Sequence, residues 1–339
     1  MELFGWEEAV KEQEESGAAK GRYRIGVGMA AATHGNGVYG VCPDTTGVIL
    51  KMNEDGSVVM FTGVSDMGNG SVTTQAQAVA QELGISMDRI DCLAADTDVV
   101  HWHIGDYSSR GVFVAGSAAK KTAEAMKREL QVEAAKLLET EPDDIELHHD
   151  RARSRKNEEK NASLHDVMVH CQSVSMRELM VAETYEAKRG ATSYGVHIAK
   201  VEVNTLTGEV RPLEYAAVHD IGRAINPLML KGQLAGAIQM GLGYGLCEDM
   251  AYDGDGKPLV QTLKKYKVLR ASQMPKLYMD FVETPQGEPD GPYGAKALGE
   301  CPVVPAAPAV VNAICNAVRG EINELPARPD RVLAALGDK

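Results

Sequence analysis

Glu300 lies in Gly294-Ala295-Lys296-Ala297-Leu298-Gly299-Glu300-Cys301-Pro302, a loop of small, mostly apolar residues bounded by Gly and Pro. A carboxylate there is expected to lose water, which raises a carboxyl pKa toward the range useful to a general base. The competing reading is a glutamate that caps a helix or pairs with Lys296. Three other segments have the residue types that hold an anion. In Met67-Gly68-Asn69-Gly70-Ser71 the glycines let backbone approach a ligand, Asn69 adds an amide that donates and accepts, and a helix follows. The same run also reads as a plain strand–helix turn. Ser108-Ser109-Arg110 offers two hydroxyls and a guanidinium ahead of a helix, a mixture that suits a phosphate or pyrophosphate. Its alternative is a helix cap beside a surface arginine. Gln233 is an amide near the start of a helix whose glycines at 232, 236, 241, 243 and 245 point to close packing.

Two further patterns are decoys. Gly26-Val27-Gly28-Met29-Ala30-Ala31 fits the loose nucleotide fingerprint, but Thr33-His34-Gly35-Asn36-Gly37 cannot supply the helix that must follow it, so a Rossmann dehydrogenase is disfavoured. His101 and His103 with Asp96 and Asp98 suggest metal ligands, yet a His-x-His loop without further ligands is usually incidental.

The elements that must position these residues form a recurring strand–turn–helix unit. Gly47 to Asn53 and Ser57 to Val64 read as a hairpin around Glu54-Asp55-Gly56. Val72, Ala76, Val79, Ala80 and Leu83 share one helical face before Gly84 ends the helix. The unit repeats as strand Ile90 to Ala95, loop Gly105 to Arg110 and helix Val114 to Leu138. It returns as strand Glu214 to His219, turn Gly222 to Pro227 and a helix through Gln233 to Leu246. A last copy runs from Tyr278 to Val282, through the loop Gly291 to Pro305, into a helix from Pro308 to Val318. A strand is expected at Tyr23 to Gly28, and paired strands at Val196 to Val203 and Glu209 to Val218. The stretch Glu139 to Asn161 is polar, and its basic run Arg151 to Lys160 reads as a solvated loop. Hairpins are as evident as crossovers, so the fold class is α+β, or mixed α/β, rather than doubly wound. A soft boundary near 185 divides the chain into a linker at 1–21, a subdomain at 22–185 and a second at 186–339.

Of the 339 residues 44% are hydrophobic and 24% charged, enough for a substantial core. The net charge of −13 argues against nucleic acid or an anionic membrane surface as partner. The six cysteines stand in no CxxC pattern, which speaks against an iron–sulfur or structural zinc site made by this chain alone. No signal peptide opens the sequence, so free thiols and a cytoplasmic location are expected. The apolar stretches Leu234 to Leu246 and Val303 to Val318 read as too short to span a bilayer.

The four loops, in this order and spacing, resemble those of the xanthine dehydrogenase and aldehyde oxidase family of molybdenum hydroxylases. Ser65 to Ser71 resembles the family's Met-Gly-Gln-Gly cofactor loop, with Asn69 in place of Gln. Gly105 to Arg110 with Gly116-Ser117-Ala118 is similar to its dinucleotide-pterin loop. Asp220-Ile221-Gly222-Arg223-Ala224-Ile225-Asn226-Pro227 with Gly232-Gln233 resembles its Asp-x-Gly-x-x-x-Asn-Pro strand end and Gly-Gln helix. Gly294 to Glu300 resembles the segment that holds the catalytic glutamate, with Cys301 where proline is common. The resemblance runs from Arg22 to Arg319 and implies two elongated subdomains that bind molybdenum through molybdopterin, in its cytosine dinucleotide form, with no protein side chain on the metal. It implies Glu300 as the general base. Met67, Gly68, Asn69, Gly70, Ser108, Ser109, Arg110, Gln233 and Gly299 would be the cofactor's contacts.

The implied reaction is hydroxylation, with water-derived oxygen, of an electron-poor carbon in a small N-heteroaromatic or aldehyde substrate. Dehydroxylation of an aromatic acyl-CoA and a noncatalytic assembly role are the alternatives; retention of Glu300 and Gln233 speaks against the latter. The family's preceding half, with further cofactor and substrate loops, is not found here, and Phe4-Gly5-Trp6-Glu7 resembles the linker that follows it. The chain is therefore expected to be a split subunit or a fragment. A large molybdopterin subunit would supply that half, and iron–sulfur and FAD-carrying flavin subunits would take the electrons.

Overall fold

The computed structural model describes residues 4–19, 21–284 and 286–336. In chain order the elements are α1 (Trp6–Ala19), β1 (Tyr23–Asn36), β2 (Thr45–Met52), β3 (Val58–Thr62), α2 (Ser71–Leu83), β4 (Ile90–Ala94) and α3 (Gly116–Leu138). Then follow β5 (Ile145–His148), β6 (Arg151–Ser154), β7 (Asn161–Ser163), α4 (Leu164–Ser173), β8 (Met180–Glu186), β9 (Ala191–Asn204) and β10 (Val210–Gly222). The chain ends with α5 (Pro227–Leu246), β11 (Lys276–Glu283), α6 (Ala306–Val318) and α7 (Pro329–Ala335).

One sheet has the order β4-β3-β2-β8. Its β2–β3 hairpin is antiparallel, while β3 and β4, joined through α2, run parallel. Alternation along β3, with Val58 and Met60 inward, lets its inner face meet α2, α3 and α4 in a core that includes Leu50, Leu83, Met126 and Leu164. Each such fully buried side chain contributes about 1.5–3 kcal/mol. Helix α2 ends where expected: Gly84 takes φ +63° and its N–H returns to the carbonyl of Ala80. The expected helix from Val114 begins instead with a wide turn over Gly111–Ala115.

The second sheet has the order β1-β9-β10-β11, antiparallel until β10 and β11, which are parallel and joined through α5. Helices α5 and α6 cover one face. Gly26 and Gly28 explain how α6 comes so close to β1: an added Cβ would lie 1.9 Å from the Ala313 carbonyl oxygen and 2.2 Å from its nitrogen, respectively. The nucleotide-like run is thus a packing surface within a strand. Strand β1 comes from the first part of the sequence but pairs with β9, while β8 returns to pair with β2.

Two expectations need correction. The polar stretch 139–161 is not simply loop: β5, β6 and β7 form a small antiparallel sheet, with Ile145, Leu147, Ala152 and Ala162 joining the first core. Its basic run therefore begins in a strand, where alternate residues are buried. The segment Cys301–Val318 is long and apolar enough, by length and composition alone, to cross a membrane. Here 67% of it is buried inside the protein, as the core helix α6 and the turn before it.

Candidate functional site

The first loop is folded by its own side chains. Asp66 Oδ1 accepts the N–H groups of Gly68 and Gly70, and Asn69 Oδ1 accepts that of Ser71. Gly68 and Gly70 take φ values of +94° and +74°, which L side chains resist. Gly70 also sits so close to Met229 of α5 that a Cβ would meet its Cγ at 2.9 Å. Gly70 itself has no side chain to cap α2, and beyond Ser71 the N–H groups of Val72 and Thr73 have no partner among the described residues, so they are available to an anion.

Asp106 fastens the second loop to the first. Its carboxylate accepts the Ser65 N–H at 2.7 Å and holds His103 Nε2 at 2.9 Å. Burial pushes the His103 imidazole below its ordinary pKa, against the opposing pull of Asp106. A neutral ring with its proton on Nε2 then leaves Nδ1 to accept from Thr46 Oγ, 3.0 Å away. Ser108 and Ser109 both take left-handed conformations, φ +52° and +49°, each at a cost of about 1–3 kcal/mol. The cost is met by contacts. Ser108 donates from Oγ to the Gly37 carbonyl and accepts the Gly37 N–H on its own carbonyl.

Ser109 does the same for the catalytic candidate: its Oγ donates to Glu300 Oε2 at 3.0 Å and accepts the Glu300 N–H at 2.9 Å. His34 Nε2 stands 3.6 Å from the same carboxylate oxygen. The Glu300 side chain is 50% exposed, so the expected burial of this group is not found in the chain by itself. Nor is it paired with Lys296, which bonds Asp220 at 2.7 Å.

Arg110 departs most from expectation. Its side chain is wholly buried, paired with an equally buried Asp44 at 2.8 Å. The remaining donors go to the carbonyls of Gly105 and Thr45, to Thr46 Oγ and to His103 Nδ1. No N–H of this guanidinium is left for a phosphate, and neither the surface arginine nor the phosphate ligand of the sequence reading describes it. It is the tether of the second loop.

In the third loop Gly222 (φ +63°) leaves no room for a side chain, a Cβ lying 2.4 Å from the Gly294 carbonyl oxygen. Asn226 Oδ1 accepts the Met229 N–H and starts α5 with Pro227 in its first turn. The fourth loop is hung from Asn36 and Ser193, which between them bond both the N–H and the carbonyl of Ala297. Cys301 is buried, and burial pushes its thiol up to about 11.

The four loops meet at one cleft of about 390 Å³. Of the residues singled out in the sequence, Met67, Asn69, Ser109, Arg110, Gln233, Gly299 and Glu300 line it, while Gly68, Gly70 and Ser108 do not. Ser71, Thr74, Asp106, Arg223, Asn226 and Lys296 line it as well. Ser71 and Thr74 were findable, since they occupy the first turn of a helix that follows a Gly-rich loop. Arg223 is exposed and has no ion-pair or hydrogen-bond partner for its side chain among the described residues, which makes it the cleft's available guanidinium. Its signal was its place between Gly222 and a helix start, three residues from an aspartate already claimed by Lys296. Among the described residues no cluster of His, Cys, Asp and Glu is arranged to hold a metal ion.

A family model described as a molybdopterin cofactor-binding domain matches residues 1–275. Subunit gamma of the 6-hydroxypseudooxynicotine dehydrogenase complex of Paenarthrobacter nicotinovorans is 30% identical over 98% of this chain and 42% of its own length. A putative xanthine dehydrogenase molybdenum-binding subunit of Escherichia coli (strain K12) is 30% identical over 97% of this chain and 44% of its own. Among solved structures, quinoline 2-oxidoreductase from Pseudomonas putida 86 superposes with a TM-score of 0.89 at 26% identity, over 98% of this chain and 44% of that one. The chain thus spans less than half the length of these relatives.

Proposed function

This chain belongs to the molybdopterin cofactor-binding domain family, among the molybdopterin-binding subunits of the xanthine dehydrogenase group, and on that premise we propose that it carries the catalytic base of a molybdenum hydroxylase whose cofactor-binding unit is shared between two polypeptides. The observation that carries the proposal is the convergence of four loops on one cleft, with Glu300 fixed at its rim by Ser109.

The cleft fits a large anionic cofactor. The first turn of α2, where Val72 and Thr73 keep free N–H groups, and the turn over Gly111–Ala115 both open on it, giving two clusters of backbone N–H groups. Two such clusters, with Arg223 beside them, match the two phosphates of the cytosine dinucleotide form of molybdopterin. Asn69 and Gln233 supply amides that both donate and accept, suited to the edge of a pterin. When bound, the cofactor's molybdenum supplies a Lewis acid and a two-electron sink. Glu300 takes a proton from the water-derived oxygen nucleophile, and Ser109 holds its Oε2, leaving Oε1 without a hydrogen-bond partner among the described residues. General-base catalysis of this kind contributes about 10²–10⁴-fold.

A small N-heteroaromatic or aldehyde substrate is the proposed class; relatives are named for nicotine, quinoline, hypoxanthine and aldehyde. Because Glu300 is half exposed here, a large molybdopterin subunit would complete the cleft and exclude water, with iron–sulfur and flavin subunits carrying electrons away. Six unpaired cysteines suit a reducing cytoplasm. The test is Glu300→Gln in the assembled complex. Turnover is expected to fall 10²–10⁴-fold with molybdenum and pterin content unchanged. Activity within a few-fold of wild type would end the assignment.

A further inference from the structure

Strand β1 is an edge strand of its sheet. Its register against β9 is unbroken from Tyr23 to Asn36, so alternate residues turn their backbone groups away from β9. In the first half of the strand these outward groups are sealed by side chains. Gln13 and Ser16 of α1 accept the N–H groups of Val27 and Ile25, while Asn316 and Asn312 of α6 donate to the carbonyls of Val27 and Met29. In the second half the sealing stops. The outward residues Ala31, Thr33 and Gly35 are exposed, and their backbone N–H and C=O groups have no hydrogen-bond partner among the described residues.

The unsealed segment carries none of the devices that protect a natural edge. Met29-Ala30-Ala31-Ala32-Thr33-His34-Gly35 has no lysine, glutamate or proline and no bulge, and a Cβ added at Gly35 meets nothing within 4 Å. Two helices guard one half of the same strand, and among the described residues none guards the other. An edge left open in this way is a ready template for pairing with another strand.

We propose that the polypeptide completing the catalytic unit adds a β-strand to β1 along Ala31, Thr33 and Gly35. The inference rests on the two-polypeptide reading above. More than half the length of these relatives has no counterpart in this sequence. The open edge also runs into the site. His34 faces Glu300, and Asn36 holds the fourth loop through Ala297, so a strand docked here enters beside the cleft it must complete. A second copy of this chain fits less well, because each copy bears a net charge of −13 and offers only the same loops again.

The experiment uses the full chain and, from the same organism, the polypeptide that aligns with the unmatched part of the gamma subunit. Proline at an outward position removes a donor that β9 does not use, so Ala31→Pro and Thr33→Pro should spare the β1–β9 ladder. Each is expected to leave the thermal unfolding of the lone chain within a few degrees of wild type and to weaken the complex at least tenfold. In wild type, hydrogen exchange of the 31, 33 and 35 amides is expected to slow at least tenfold on binding, at unchanged rates elsewhere in β1. A complex that forms and turns over with these amides unprotected and both variants binding like wild type would overturn the edge and leave the proposed function standing. No complex at all would overturn both. Protection of the same amides in the lone chain, in step with self-association, would overturn it in favour of a second copy.

Discussion

Removing the Arg110 guanidinium separates the role assigned to it here from that of a phosphate ligand. In Arg110→Met the apolar stem is kept, but Asp44, with no solvent exposure, loses the partner at 2.8 Å that balances its charge. Only the Val38 N–H remains to its carboxylate. Breaking a buried pair from one side costs about 3–5 kcal/mol. The carbonyls of Gly105 and Thr45 lose their donors too, at about 1 kcal/mol each. The sum is a loss of roughly 5–7 kcal/mol, a large part of the stability of an ordinary domain. At about 2–4 °C per kcal/mol it lowers Tm by more than 10 °C. Adding Asp44→Asn removes the stranded charge and is expected to restore about half of the loss, seen as coupling in a double-mutant cycle by urea denaturation. The reasoning is refuted if Arg110→Met unfolds at the wild-type urea concentration while losing pterin and molybdenum, because the guanidinium would then be serving the cofactor.

Ser109→Ala frees Glu300 from both of its hydrogen bonds to that serine, so kcat is expected to drop about 10–100-fold with cofactor content unchanged, by steady-state assay and metal analysis. Normal kcat would mean that Ser109 does not position the base. Stability should also depend on a buried chain in which Tyr215 OH meets His197 Nδ1 at 2.8 Å and His197 Nε2 meets His219 Nε2 at 2.8 Å. Burial pushes His197 and His219 down to about 3 and about 4. Their folded values lie below the unfolded value near 6.5, so the unfolded chain binds more protons between roughly pH 6.5 and 4, and the folded state loses stability as pH falls through that window. The urea midpoint is expected to fall steadily from pH 7 to 4.5 and to fall less in His219→Gln. Equal slopes for wild type and variant would count against it.

What was legible in the sequence had local causes. The β2–β3 hairpin follows from alternation around Glu54-Asp55-Gly56, and the end of α2 from a glycine able to take φ +63°. The shared cleft was legible because four loops occur in a recognisable order. What failed depended on distant partners. Asp44, which takes up the Arg110 charge, is 66 residues away, and nothing around Ser108-Ser109-Arg110 announces it. The half-exposure of Glu300 reflects what lies beside its loop rather than the loop's composition. The strands at 145–163 are three or four residues long in charged sequence, too short for a period to declare itself. In Met29-Ala30-Ala31-Ala32 few residues favour a strand; β9 makes it one.

The placement of β1 in the second sheet sets the order in which the molecule can be made. Asn36 waits for Ala191, and Tyr23 for Asn204. At about 5–20 residues per second a ribosome needs on the order of ten seconds or more to deliver β9 after β1 has emerged. During that interval β1 has neither its ladder partner nor α6 to cover Gly26 and Gly28, so it leaves the ribosome as an unpaired apolar strand. A truncation after residue 185 would make that state permanent, keeping β1 and discarding all it pairs with. The first sheet can close as soon as β8 appears at Met180–Glu186, and the second must assemble around a strand made long before.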